Sequence, residues 1–143
     1  MTETPQQRYE ISSDPSRLDA ARIHNWLSTD AYWALGRTRE RQDLAIAGSL
    51  NFGAYDLASG EQAGYARVVT DHVTFGWLCD VYVDPAARGH GLGAGLVTAA
   101  RDRLAEAGVR RLLLATEDAH GVYGKVGFKP LDNPANWMAL ILG

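Results

Sequence analysis

The sequence predicts an α/β fold built on a mixed sheet, with the element order βααβββαβαβ. Three observations carry that expectation. A hairpin pattern, "NFGAYDL" and "QAGYARVVT" joined by "ASGE", leads after "DH" into a third apolar run, "VTFGWLCDVYV". That run stops at Asp84-Pro85 before a glycine-rich stretch, and "GLVTAARDRLAEAG" then keeps Leu96, Ala100 and Leu104 at helical spacing. Last comes "VRRLLLAT", a continuous apolar run that reads as a fully buried central strand.

The remaining elements follow in order. "QQRYEIS" reads as a short first strand. Asp14 is an N-cap with Pro15 at the first helical position, and the helix runs to about Leu27 with Ala20, Ile23 and Leu27 on its apolar stripe. "STDAYWALGRTRE" is loop-like, and Thr38 within it caps a second helix reaching Leu50. Gly108 is placed to end the long helix in a left-handed C-cap. "EDAHGVYGKVG" is a short helix closed by Gly127, and "NWMALIL" is a final strand.

A chain of 143 residues, 46% apolar and 22% charged, has the composition of a single globular domain covering 1–143. A net charge of −3 and a pI near 5.7 argue against a nucleic-acid partner. No stretch has the length and hydropathy of a membrane span, so no membrane partner is expected. One cysteine, Cys79, excludes an intrachain disulfide and makes the cytoplasm the default location. It reads as a small strand hydrophobe rather than a reactive thiol. No Cys/His cluster has metal-ligand spacing.

Four glycines, at 89, 91, 93 and 95, separate a strand from a helix behind Arg88. Free N–H groups and the positive dipole end of a helix attract anions, and glycine lets a phosphate approach the backbone closely. The stretch therefore reads as a diphosphate cradle. Gly89 to Ala94 also spells the dinucleotide pattern G-x-G-x-x-A, with Glu117 beyond the next strand. The dinucleotide turn, however, starts almost at the strand's end, and here Asp84 to Arg88 intervene. A phosphate loop of the Gly-Lys-Ser/Thr kind is absent.

Arg88-Gly89-His90-Gly91-Leu92-Gly93 fits the pattern R/Q-x-x-G-x-G/A, and "VYVDPAARGHGLGAGL" resembles the acyl-CoA-binding core of the GNAT superfamily of N-acetyltransferases. A second motif reinforces it: Ala119, Tyr123, Gly127 and Phe128 look like the family's A-x-x-x-Y-x-x-x-G-F signature. The resemblance implies the GNAT fold, a mixed and mostly antiparallel sheet flanked by helices. It implies that the strands before and after the long helix splay apart, with pantetheine between them. By position, backbone groups of Val81 and Val83 would pair with pantetheine. Those from Arg88 through Gly89, His90, Gly91, Leu92 and Gly93 to Ala94 would hold the pyrophosphate.

The resemblance puts Tyr123 beside the CoA sulfur as proton donor; a phenol with pKa about 10 is protonated at neutral pH. Asparagine is common seven residues earlier in the family, and here that position is Thr116. Strand alternation sets Cys79, Val81 and Val83 on one face and Leu78, Asp80 and Tyr82 on the other. A carboxylate in such a strand is costly unless paired, so Asp80 is either a general base or amine ligand, or the partner of an arginine such as Arg67. His120, one turn before Tyr123, is either a substrate contact or a surface residue. Tyr32 and Trp33 either close over a substrate, as that loop does in the family, or anchor the loop. Trp26, Trp77 and Trp137 read as core or interface.

The resemblance thus implies an enzyme moving an acetyl group from acetyl-CoA to a small-molecule or peptide amine through a ternary complex, without metal. A non-catalytic acyl-CoA-binding module is the alternative. Family relatives are often dimers, and "NWMALIL" has no clear polar face, so a homodimer is also expected.

Overall fold

The computed structural model describes residues 8–143. Its elements are β1 (Tyr9–Ser12), α1 (Ala20–Asp30), α2 (Arg39–Ala47), β2 (Leu50–Asp56), β3 (Gln62–Thr70), β4 (Gly76–Val83), α3 (Leu92–Glu106), β5 (Leu112–Leu113) and α4 (His120–Val126). The strands form one five-stranded sheet in chain order. β1 to β4 pair antiparallel, and β5 lies parallel to β4. Gln6 and Gln7, expected at the head of β1, lie outside the described residues.

Local chemistry sets most boundaries. Asp14 does cap a turn, accepting the Ser16 N–H at 2.9 Å, but that turn is a 3₁₀ piece ending at Arg17. Leu18 is extended, Asp19 donates its N–H to Gln62 Oε1 at 2.7 Å, and α1 starts afresh with Asp19 as its cap. A tertiary bond to β3 thus displaces the expected start. Thr38 caps α2 as expected, yet the helix stops at Ala47 because Leu50 already belongs to the sheet. The β4 ladder begins at Gly76 rather than Val73, since Asp71 draws the N–H groups of Val73 and Thr74 into a turn at 2.9 and 2.7 Å. α3 closes with the paired bonds Gly108 N–H to Ala105 O and Val109 N–H to Leu104 O, both 3.0 Å, with Gly108 left-handed at φ +88°.

Apolar burial covers both sheet faces. α3 lays Leu96, Val97, Ala100 and Leu104 on one face against Phe52, Ala54, Ala66, Val68 and Leu78. α1 packs Ile23, Trp26 and Leu27 on the other, against Tyr65 and Tyr82.

Two departures from expectation shape the molecule. Tyr65 pairs with Tyr82, but Arg67 pairs with Cys79, so β4 holds one extra residue there. Asp80 sits in this β-bulge with φ +53°. The extra residue breaks the alternation. Leu78, Val81 and Val83 pack on the α3 face, whereas Tyr82 packs on the α1 face. Leu78 therefore does not share a face with Tyr82. The second departure is at the far edge. β5 forms only a two-residue ladder and borders the sheet instead of running through its centre. The expected last strand "NWMALIL" is not a strand; Met138, Leu140, Ile141 and Leu142 are each more than four-fifths exposed. An apolar run becomes a central strand only if something pairs with its second edge, and here nothing among the described residues does.

Leu96 has no exposed surface and sits where α3 meets the sheet. Leu96→Ala should destabilise the fold by about 2–5 kcal/mol, read by urea unfolding; a loss below about 0.5 kcal/mol, the scale of a surface substitution, would place the core elsewhere.

Candidate active site

Because the β4–β5 ladder ends at the pairs Gly76–Leu112 and Trp77–Leu113, the two chains separate beyond it. A pocket of about 210 Å³ opens in the gap, with Trp77, Cys79, Asp80 and Val81 on one side and Ala115, Thr116 and Tyr123 on the other. Tyr32 and Trp33 complete its wall.

Asp80 is held by three donors. Trp33 Nε1 donates to Oδ1 at 2.8 Å, and Arg37 Nη1 and Arg67 Nε donate to Oδ2 at 2.8 and 2.9 Å. Its side chain is 1% exposed. Burial pushes its pKa up, but the Arg37 hydrogen bond and the Arg67 charge outweigh that, and the carboxyl lies below its ordinary range. Asp80 is therefore ionised and occupied at neutral pH. The arginine pairing weighed for it is present, with Arg37 as a second partner that strand alternation could not reveal.

Trp33 and Tyr32 tie one loop to both sides of the gap. Trp33 bonds β4 through Asp80, while Tyr32 Oη accepts the Glu117 N–H at 3.0 Å just past β5. The loop is compact, with Ala31 and Ala34 buried and Gly36 N–H bonded to Ser28 O at 3.0 Å. Thr116, standing where the family favours asparagine, braces the turn before α4 by accepting the Ala119 N–H at 3.1 Å.

Tyr123 lies on α4, packs against the α3-side core and stacks edge-on against Phe128 with ring centroids 5.9 Å apart. Burial first, then the neighbouring Tyr32 and Asp118, push its phenol pKa above the ordinary value. It holds its proton at neutral pH. Cys79 lines the same pocket, and burial above all pushes its thiol up to about 11, so it is no nucleophile. His120 lines an adjoining cleft on the far side of β5, which shares Ala115, Thr116 and Tyr123 with the pocket of Tyr32 and Trp33.

The glycine stretch forms a second cleft, about 310 Å³, lined by Val83, Arg88, Gly89, Gly91 to Ala94, Val122 and Lys125. Gly91 is the N-cap of α3 with φ +75°, and no side chain caps the helix. The first intrahelical bond is Gly95 N–H to Gly91 O at 2.9 Å, so the N–H groups of Leu92, Gly93 and Ala94 precede the helical ladder. The Arg88 side chain turns back, donating to Val83 O at 3.0 Å and lying 3.6 Å from Asp30. His90 packs its ring against Tyr9 at 5.7 Å and does not line the cleft. Lys125 and Trp77 are the residues that sequence reading missed. Lys125 is two residues past Tyr123 within the signature, a signal that was there to use; Trp77 looked like core.

A strand bulge, a splayed parallel pair and an uncapped glycine-led helix are the features that agree with the GNAT fold. Residues 20–128 match the model of the Acetyltransferase (GNAT) family, and the chain belongs to that family. It is 32% identical over 135 residues to a Gibberella zeae protein assigned as an acetyltransferase, covering 82% of this chain and 76% of that one. It is similar to a Xanthomonas campestris structure assigned as a GNAT acetyltransferase, with 39% identity, TM-score 0.87 and coverage of 94% and 93%. A Mycobacterium tuberculosis structure solved with CoA shares the fold at 20% identity and TM-score 0.71, over 86% of this chain and 73% of that one.

Asp80→Asn leaves two half-buried guanidinium groups without their counter-charge and should cost about 3 kcal/mol at pH 7, the lower end for breaking a buried pair. Because the folded pKa is depressed, this stabilisation is present above the unfolded value near 3.9 and fades as pH falls through the folded one. Urea unfolding of both proteins should show a gap that is wide at pH 7 and narrower near about pH 3. Equal stability at pH 7 would contradict the structural role.

Proposed function

We propose that this protein transfers the acetyl group of acetyl-CoA to a primary amine within a ternary complex. The observation that carries the reading is the succession of two clefts along the same elements. Val81 of β4 and Tyr123 of α4 line the gap, and Val83 and Val122, one or two residues away, line the glycine cleft, an order that suits an extended pantetheine arm with a diphosphate at one end and a thioester at the other.

The cleft fits the diphosphate. The N–H groups of Gly89 and of Gly91 to Ala94 are the donors, and the helix dipole together with Lys125 supplies positive charge. Gly91 matters through its left-handed backbone, since a Cβ there would meet nothing within 4 Å. Val81 and Val83 border the gap and offer backbone groups to the amides of the arm.

Bound acetyl-CoA supplies an activated carbonyl. The amine lone pair forms the N–C bond as the C–S bond breaks, with its electron pair leaving on sulfur. Tyr123 gives its proton to that sulfur, and the surplus proton on nitrogen passes to water, which restores the phenol. Asp80 takes no proton here, because both its oxygens accept bonds from fixed cations or the indole. Its role is to hold the bulge and the Trp33 loop. His120 lines the adjoining cleft that also contains Tyr123 and takes no proton in this scheme.

Acetyl-CoA at about 100 times its Kd should stabilise the protein by roughly 2.7 kcal/mol, a shift that NAD does not reproduce. Tyr123→Phe should keep that shift and lose about 10²–10⁴-fold in kcat. Undiminished turnover would remove Tyr123 as the acid; binding without turnover in the unaltered protein, across a broad amine library, would favour the acyl-CoA-binding module.

We further propose that two copies pair through the C-terminal segment. Residues 137–142 carry no charge and expose five large apolar side chains, while the outer side of β5 borders a mainly apolar cleft of about 370 Å³ lined by Leu112, Leu114, Phe128 and Leu131 together with His120 and Tyr123. Each copy has both surfaces, so reciprocal docking gives a closed two-fold pair. Light scattering should find a dimer that removal of residues 137–143 converts to monomer. A monomeric full-length chain, or a dimer indifferent to the truncation, would refute it.

A further inference from the structure

The pocket between β4 and β5 has a wall in which several polar tips already hold partners within the protein. Trp33 spends its indole N–H on Asp80, and Tyr32 spends its hydroxyl on the Glu117 N–H. The Thr116 hydroxyl is engaged at the entry to α4. What Trp33 and Tyr32 present is therefore ring surface, set edge to face with centroids 5.0 Å apart at 88°. Trp77 adds a third ring to the wall, and all three are 37–44% exposed.

Charge is missing from that wall in usable form. Asp80 is its sole ionised residue, and it accepts three hydrogen bonds from inside the protein. The two arginines that neutralise it do not line the pocket. With Arg37 and Arg67 against one Asp80 carboxylate, that carboxylate is already neutralised from within. A second ammonium group on the acceptor would find no free carboxylate in the lining. A carboxylate would find no cationic side chain in the lining. At about 210 Å³ the pocket is also below the roughly 300–1,000 Å³ of drug-sized sites.

The geometry points to a small acceptor amine carried on an aromatic body, an arylalkylamine, held by Tyr32, Trp33 and Trp77 and admitted as the neutral amine. Polyamines and acidic amino acids are disfavoured for want of partners. This rests on the acetyl-transfer reading, and the bonds made and broken are those already given: N–C for C–S, with Tyr123 protonating sulfur and water taking the amine proton.

The test offers 2-phenylethylamine, spermidine and glutamate to the full chain and follows thiol release from acetyl-CoA. In parallel, quenching of tryptophan fluorescence by each amine is recorded on CoA-loaded protein. The expected kcat/KM for 2-phenylethylamine exceeds the other two by at least about tenfold, the scale of burying one aromatic ring against another. Trp77→Ala should raise KM for 2-phenylethylamine by about the same factor while kcat and the KM for acetyl-CoA hold, and Trp77→Phe should restore it. Preference for spermidine or glutamate, or a Trp77→Ala protein with unchanged KM, overturns the inference. If no amine is acetylated but 2-phenylethylamine alone quenches and acetyl-CoA still binds, the transfer reading falls and the aromatic site stands. If 2-phenylethylamine neither quenches nor reacts, the aromatic site falls.

Discussion

The grip of Arg37, Arg67 and Trp33 on Asp80 is the interaction on which the site depends. An aspartate in the left-handed region of a strand is strained, and its charge is buried at 1% side-chain exposure. Neither would persist without the three donors. In return, the bulge lets β4 change the facing of its side chains partway along. Leu78 packs under α3, while two residues past the bulge Tyr82 packs under α1. The same carboxylate reaches out of the sheet and fastens Trp33, so one ion-pair cluster sets both the strand's local twist and the loop that walls the pocket.

Separation of β4 from β5 then divides labour along the chain. Where the strands pair, Gly76 leaves no room for a side chain, since a Cβ would lie 2.8 Å from Leu104 and 3.0 Å from Leu112. Where they part, α4 brings Tyr123 to the gap and Lys125 to the glycine cleft from one short helix. Seven residues thereby serve both ends of the path. The connections are rigid for local reasons: Gly127 closes α4 through bonds to Gly124 O at 3.1 Å and from Phe128 to Tyr123 O at 3.2 Å, and Thr116 braces the turn before it.

Next to the gap, the sheet stops abruptly. Among the described residues β5 has a partner on one side only, and the apolar run that would continue the sheet stays in solvent. Trp137 marks where that run departs, with Arg111 stacked 5.2 Å from its ring at the head of β5. An open edge and an uncovered apolar segment are the same unmet demand seen from two sides.

The sequence by itself determined what is written in local chemistry. Alternation marked β2 and β3, the latter to its residue limits. Thr38, Gly108 and Gly127 capped their helices as residue type demands, and Arg88 to Gly93 with Ala119 to Phe128 carried the family. Tertiary structure decided what depends on distant partners. Asp14 looked like the better start for α1, but a bond from Asp19 to Gln62 moved it. Asp80 followed the alternation on paper, yet Arg37, 43 residues away, and Arg67 hold it in a bulge that no period-two pattern contains. "VRRLLLAT" and "NWMALIL" have strand composition, but a strand exists only when a second backbone accepts its hydrogen bonds. Trp77 and Lys125 joined the site because separated strands and a short helix converge there, and convergence of remote segments is a property of the folded chain alone.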